Sequence, residues 1–457
     1  MKIPGSPTVG GGFLELSVFL LLTASLLFPS IQFGPGLKLP VEVLLLPGLL
    51  YLYFLLVCMG NVSPLIVRRI HIFCALFSFS VLVSMIYGST HFHHLLLTRD
   101  YYDAAKVWLP VLFFTVACEA DFEEQSVRRF LAVLGVATLL VCLYGWAQFL
   151  DVPGTDKLNP YYSGGEHHDL YLQLQRRVYS TQGNPNVLGQ FLSCVLICYV
   201  LTLVSKFGSQ IGNAMIVLTI TTTLVLTGSR YALIVSFCGV LLVFGLTFSG
   251  RKRIVKLISS TFLLAILVWT FVATQKADRD ATSRFQELSH PTDVQSLRDR
   301  TDVLWVDALR YFESSPVFGH GPAKVIFTDV WTDSEYLDVL KSYGIIGFGF
   351  YFAMHIWVLI QLWRGLRAQR FCGCQVREAF GADLLLVRLG FVLILAGLAM
   401  NIGMTTYFNW KFNTFFWLIL GLTVRAAHRI EQIHSRLPQR IFGTAVSRDF
   451  STRPRWV

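Results

Sequence analysis

Arg177, Arg230 and Arg300 are the residues of this chain whose chemistry stands out first. A guanidinium is charged at every physiological pH and meets phosphate oxygens with a two-pronged fork of donors. Arg177 ends an Arg176-Arg177 pair and runs into Val-Tyr-Ser-Thr-Gln-Gly183-Asn184-Pro185-Asn186. Arg230 sits in Leu226-Thr-Gly-Ser-Arg-Tyr, a tight turn between two apolar runs. Arg300 opens a stretch in which Val303, Leu304, Val306, Leu309 and Phe312 recur near helical spacing. That helix leads into Ser315-Pro-Val-Phe-Gly-His-Gly321-Pro, a sharp turn built on glycine and proline around His320. Beyond the turn, Asp333-Ser-Glu335-Tyr336 stands at the head of another apolar run.

Each residue also has a structural reading. Asn184 before Pro185 is a helix N-cap followed by a proline in the first turn, which accounts for Asn184 but not for the cation pair before it. Arg230 suits either a cavity or an interfacial anchor that reaches for headgroups. Asp333 and Glu335 suit the acidic first turn of a helix. They equally suit a carboxylate that orients or deprotonates a hydroxyl at a lipid–water boundary. Tyr161, Tyr162, Tyr171, Tyr179, Trp331 and Tyr336 fit an interfacial belt or a surface for sugar faces. A lipid-linked pyrophosphate would satisfy three arginines on one membrane face, being anionic, anchored and a good leaving group.

The elements that must hold these residues are read from composition. Of 457 residues, 54% are hydrophobic and 14% charged, with a mean hydropathy of +0.56. Soluble domains carry roughly 25% charged residues. A soluble enzyme, a disordered chain and a disulfide scaffold are thereby excluded, and the expected class is an all-α integral membrane protein. A spanning helix needs about 20 apolar residues. Charge-free runs place spans at 16–37, 43–67, 70–89, 130–150, 185–205, 207–229, 231–250, 257–275, 342–363 and 389–410. Weaker spans at 107–118 and 412–424 bring the expectation to about 12.

Cytoplasmic loops carry excess Lys and Arg. With the N-terminus inside, the inner segments hold 22 Lys and Arg against 8 Asp and Glu, and the outer segments hold 16 against 19. The net charge of +10 is therefore expected to report topology, with both termini cytoplasmic and a basic tail at 425–457, and no nucleic-acid partner is expected. Two long segments, 151–184 and 276–341, fall outside within a single polytopic domain spanning 1–457. The second is too long for a plain connection and is expected to be functional.

Other features carry less. Seven of the nine cysteines (Cys58, Cys74, Cys118, Cys142, Cys194, Cys198 and Cys238) lie in apolar runs as small hydrophobes. Cys372 and Cys374 are too few to make a metal site. Asp278-Arg-Asp280 has the spacing of a cation-binding carboxylate pair, but it lies in a charged stretch, and no metal is expected there. No cleavable signal peptide is evident, and no internal repeat is visible between the halves.

The ordered set Arg177…Gly183-Asn184-Pro185-Asn186, Thr227-Gly-Ser-Arg230, Arg300…Gly319-His-Gly321 and Asp333-Ser-Glu335-Tyr-Leu…Gly344-Ile-Ile-Gly347 resembles the O-antigen ligase/polymerase superfamily of bacterial surface polysaccharide assembly. The likeness covers roughly residues 175–350. It implies a GT-C-like membrane glycosyltransferase of the inner membrane, acting without metal or cofactor on undecaprenyl-pyrophosphate-linked glycans. It also implies short helices in the long outer loop between spans 9 and 10, and a chain-length regulator as partner. Carried over, Arg177, Arg230 and Arg300 bind pyrophosphate, and Glu335, Asp333 and Arg300 form the catalytic set. Asn184, Asn186, His320 and Tyr336 are secondary substrate contacts. Ligases of the superfamily typically carry a His-Asn-type pair where this sequence has Asp333-Ser334-Glu335, which favours a repeat-unit polymerase. A ligase acting on lipid A-core and a lipid-linked sugar flippase or transporter are the alternatives.

Overall fold

A computed structural model describes residues 9–34, 37–41, 68–120, 122–162, 177–248, 298–323, 326–327, 332–371, 380–405 and 409–446, with scattered positions at 43–54 and 172. Six of its helices are long and apolar enough to cross a bilayer, and three more are shorter and apolar. The chain is a multi-pass membrane protein.

The helices are α1 (Val9–Leu27), α2 (Arg68–His91), α3 (Thr98–Lys106), α4 (Trp108–Glu119), α5 (Glu124–Phe149) and α6 (Thr155–Tyr162). After them come α7 (Pro185–Val204), α8 (Gln210–Leu226) and α9 (Arg230–Thr247). A π-helical turn, Asp299–Leu304, feeds α10 (Trp305–Ser314), and α11 (Glu335–Phe371), α12 (Gly381–Gly403) and α13 (Trp410–Val446) complete the bundle. The expected spans at 43–67 and 257–275, Asp278-Arg-Asp280, Cys58, Cys372 and Cys374 lie almost entirely outside the described residues.

The innermost helices are α7, α12 and the first half of α13. Nearly every α7 residue from Val187 to Thr202 is buried, as the absence of charge on any of its faces requires. Peripheral helices show the opposite pattern. Phe79 and Ile86 on α2, Val136 and Leu143 on α5, and Ile234 on α9 are more than half exposed. Such large apolar side chains facing outward suit lipid, which costs them nothing. Phe114 of α4 meets Trp357 of α11 and Trp417 of α13, and the Cys118 thiol bonds Gly421 O at 3.2 Å, seating this twelve-residue helix on α13.

Two expectations are corrected. The first span, set at 16–37, ends as a helix at Leu27. Ser30–Gly34 and Leu37–Pro40 then pair antiparallel, Ile31 opposite Leu39, a small hairpin in an otherwise helical described fold. The Gly34-Pro-Gly36 sequence between them marks a chain reversal, and such a break outweighs local apolarity. The amphipathic helix expected at 301–312 is present, but its first turn is π-helical and regular α-geometry begins at Trp305.

Candidate active site

The segment 177–184 enters the bundle as irregular backbone, buried from Arg177 to Gln182. Non-helical backbone buried within a membrane bundle needs partners in protein, and several are found here. Ser180 N donates to Gln148 Oε1 of α5 at 2.8 Å, and Ser180 Oγ to Val141 O at 2.6 Å. Thr181 Oγ1 reaches Leu26 O at the end of α1, 2.6 Å away. Val178 N donates to Leu226 O at 3.2 Å. Asn184 then caps α7, its side chain accepting from Asn186 N at 2.8 Å with Pro185 in the first turn.

That path brings Arg177 onto the 227–230 turn. Its Nε donates to Thr227 O at 2.7 Å and its Nη2 to Asn186 Oδ1 at 2.6 Å. The turn itself needs glycine. Gly228 has φ +60°, and a Cβ there would lie 3.2 Å from Arg177 Nε and 3.3 Å from Cγ. Arg230 follows as the first residue of α9. The α7 and α9 helices adjoin near this end, Gly189 against Ser229 and Ala232, with Ser193 Oγ bonded to Ala232 O at 2.9 Å. Two helix N-termini, each equivalent to roughly half a positive charge, thus open beside Arg177 and Arg230. An anion is the ligand for which such an end is built.

A second group gathers at the C-terminal end of α12. Tyr231, next to Arg230, donates its hydroxyl to Ala399 O, and Tyr336, next to Glu335, donates to Leu398 O at 2.7 Å. Arg300 Nε is paired with Asp333 Oδ2 at 2.8 Å. Glu335 opens α11 and is completely buried, whereas the Asp333 side chain is 42% exposed. Asp333 is thus paired with Arg300, and Glu335 is the more deeply buried of the two expected carboxylates.

The helix that Glu335 opens is broken further along at Gly344. Gly344 adopts φ 64° and ψ −170°, a conformation confined to glycine. A side chain there would strike the Val317 carbonyl. Into the break fits the backbone of 315–321. Ile345 N donates to Pro316 O at 2.9 Å, His320 N to Lys341 O at 3.1 Å, and Gly321 N to Ser342 O at 2.7 Å. The other side of this loop rests on α2, where Ser84 Oγ donates to Phe318 O and Gly321 abuts Met85.

His320 stands with that loop. Its Nδ1 meets His94 Nε2 at 3.2 Å, and its Nε2 lies 2.8 Å from Ser314 Oγ and 2.9 Å from Tyr311 O. Burial lowers the His320 pKa, and burial together with the facing His320 ring lowers that of His94. These contacts are with α10 and the end of α2.

Lys411 is the site residue that the sequence reading missed. It is buried at 7% exposure in the first turn of α13, and its Nζ bonds Thr181 O at 2.5 Å. The signal was present: no other Asp, Glu, Lys, Arg or His stands between Arg388 and Arg425. Among the described residues, no group of three or more metal-ligating side chains is placed to hold an ion.

Arg177, Arg230, Arg300 and the buried Glu335 thus all stand at or near helix ends of the bundle. Residues 214–352 match the O-antigen ligase family. The match supports membership of the O-antigen ligase/polymerase superfamily and does not separate its polymerase branch. Of the candidate site residues, the matched segment contains Arg230, Arg300, His320, Asp333, Glu335 and Tyr336, while Arg177, Asn184, Asn186 and Lys411 lie outside it. No curated protein matches the chain significantly.

Proposed function

We propose that the chain is a polysaccharide polymerase joining undecaprenyl-pyrophosphate-linked repeat units at the outer face of the bacterial inner membrane. The supporting observation is the docking of Arg177 on the 227–230 turn, beside the N-termini of α7 and α9. A pyrophosphate bound there is met by Arg177 and Arg230, and Arg300 is assigned to the same ligand. The acceptor is a sugar hydroxyl of an incoming lipid-linked unit. Its oxygen attacks the anomeric carbon of the lipid-linked chain, its proton passes to the Glu335 carboxylate, and the anomeric carbon–oxygen bond to pyrophosphate breaks. The leaving lipid pyrophosphate takes the bonding electrons, and its new charge is met by the arginines. Direct displacement inverts the anomeric centre. Asp333 holds Arg300 in place, and Asn184, Asn186, His320 and Tyr336 position substrate or the elements around it.

On this reading the protein is a GT-C-like glycosyltransferase with about 12 spans and both termini cytoplasmic. It works without metal or cofactor, and a chain-length regulator is its expected partner. The purified protein, supplied with lipid-linked repeats alone, is expected to make a ladder of products. Arg177→Ala, Arg230→Ala and Arg300→Ala are each expected to lower the rate on the order of 10²-fold, the scale of a lost charge-stabilising donor. Full activity in all three variants would overturn the mechanism. The family description favours a second reading, a ligase that moves finished polymer to a terminal acceptor. Such an enzyme would give no ladder until that acceptor is added.

A further inference from the structure

We propose that Lys411 is a positioning residue of the anion site, fixing the 180–183 turn from behind so that Arg177 reaches the 227–230 turn. This rests on the reading of Arg177 as a pyrophosphate ligand. Lys411 comes from α13, far along the chain, yet its ammonium ends on Thr181 O, four residues beyond Arg177. It also stands 5.1 Å from the ring centroid of Tyr162, a cation–π distance. Both neighbours are tied to the end of α1: Thr181 through Leu26 O at 2.6 Å and Tyr162 through Leu27 O at 2.9 Å. The cation thus completes a clasp of three elements around one short turn.

The turn needs holding. Ser180 has φ +49° and Gly183 φ +73°, so two of four consecutive residues take left-handed backbone. A non-glycine residue keeps a positive φ only where its surroundings over-determine it. Gln148 and Val141 hold Ser180 from α5, and Lys411 holds the next residue from the opposite side. Burying an ammonium is costly, and a hydrophobic helix start would avoid the cost. A cation retained here does something that an apolar residue does not. It orders the turn by a charge-assisted hydrogen bond to Thr181 O.

The test is a binding cycle on the purified full-length chain, with undecaprenyl pyrophosphate in detergent micelles as probe. Lys411→Met is expected to weaken binding about tenfold or more, the loss of one charge-assisted hydrogen bond. Lys411→Arg, which keeps both charge and donor, is expected to stay within about threefold of wild type by the same scale. In an Arg177→Lys background, Lys411→Met is expected to add little, because its effect runs through residue 177. Lys411→Gln, a neutral donor of similar length, replaces Lys411→Met if the latter cannot be purified, and is expected to bind less tightly than Lys411→Arg. Unchanged binding in the neutral variant, or losses that multiply in full with Arg177→Lys, would overturn the proposal. The reading of the site fails separately, if Arg177→Ala itself binds the probe as wild type does.

Discussion

Replacing Gly228 by alanine separates the geometry of the site from its stability. The backbone there has φ +60°, and adding a Cβ in the left-handed region costs about 1–2 kcal/mol. Spread over a bundle of this size, that amounts to a few degrees in the melting temperature. The new methyl would also lie 3.2 Å from Arg177 Nε and 3.3 Å from its Cγ, so the guanidinium must give by a few tenths of an ångström. Arg177 holds two short bonds, 2.7 Å to Thr227 O and 2.6 Å to Asn186 Oδ1. Losing one charge-assisted bond costs about 1.5–3 kcal/mol, or roughly 10–100-fold in a rate or affinity. The expected outcome of Gly228→Ala is therefore a fall of about 10–100-fold in kcat/KM on lipid-linked repeats. The melting curve of the purified protein should shift only slightly. Normal kcat/KM would refute the claim that the turn aims Arg177. A loss in proportion to the fraction unfolded would refute it equally.

Two further outcomes follow from the site. Glu335→Gln is expected to remove about 10²–10⁴-fold of the rate, the scale of general base catalysis, because this carboxylate is fully buried at the head of α11. Asp333→Asn, which only loosens the half-exposed pair with Arg300, is expected to cost less in the same assay, and the reverse ranking would exchange the two roles. The paired rings of His94 and His320 predict a pH dependence of stability. Burial lowers both pKa values from 6.5, so below about pH 6.5 the unfolded chain binds more protons than the folded one. Their contribution is complete above that pH and is lost as pH falls through the lowered folded values. Thermal unfolding between pH 7.5 and 5, a range set about the ordinary imidazole pKa, should show this slope, and His94→Gln and His320→Gln should flatten it.

Much of the helical frame was legible because the bilayer imposes a simple rule: a long charge-free run has to become a helix. The innermost α7 reads directly from its unbroken apolar sequence, and Asn184-Pro185 reads as its start. The motif around Arg177 and the turn at Arg230 could be singled out because a cation beside an apolar run is conspicuous. What failed to show were relations between distant segments. Nothing near Asp333 says that Arg300 will hold it, and nothing near Lys411 points to Thr181. The hairpin at 30–40 was hidden for a different reason, since apolar strands and apolar helices look alike over a few residues. Gly344 illustrates the same limit. Its neighbours are ordinary helix formers, and only the inserted 315–321 backbone explains why the helix breaks there.

That break has a consequence for assembly in the membrane. A continuous helix would carry Glu335 to its place by local propagation alone, as soon as the span was inserted. Here the outer turns of α11 take their bearing from the 315–321 loop, and that loop takes its own from α2, 234 residues earlier at the Ser84–Phe318 bond. The acidic residue therefore acquires its setting only after segments synthesised at widely different times have met. A chain whose spans were all inserted, but whose early and late halves had not yet closed on each other, would be fully threaded and still lack the setting of Glu335.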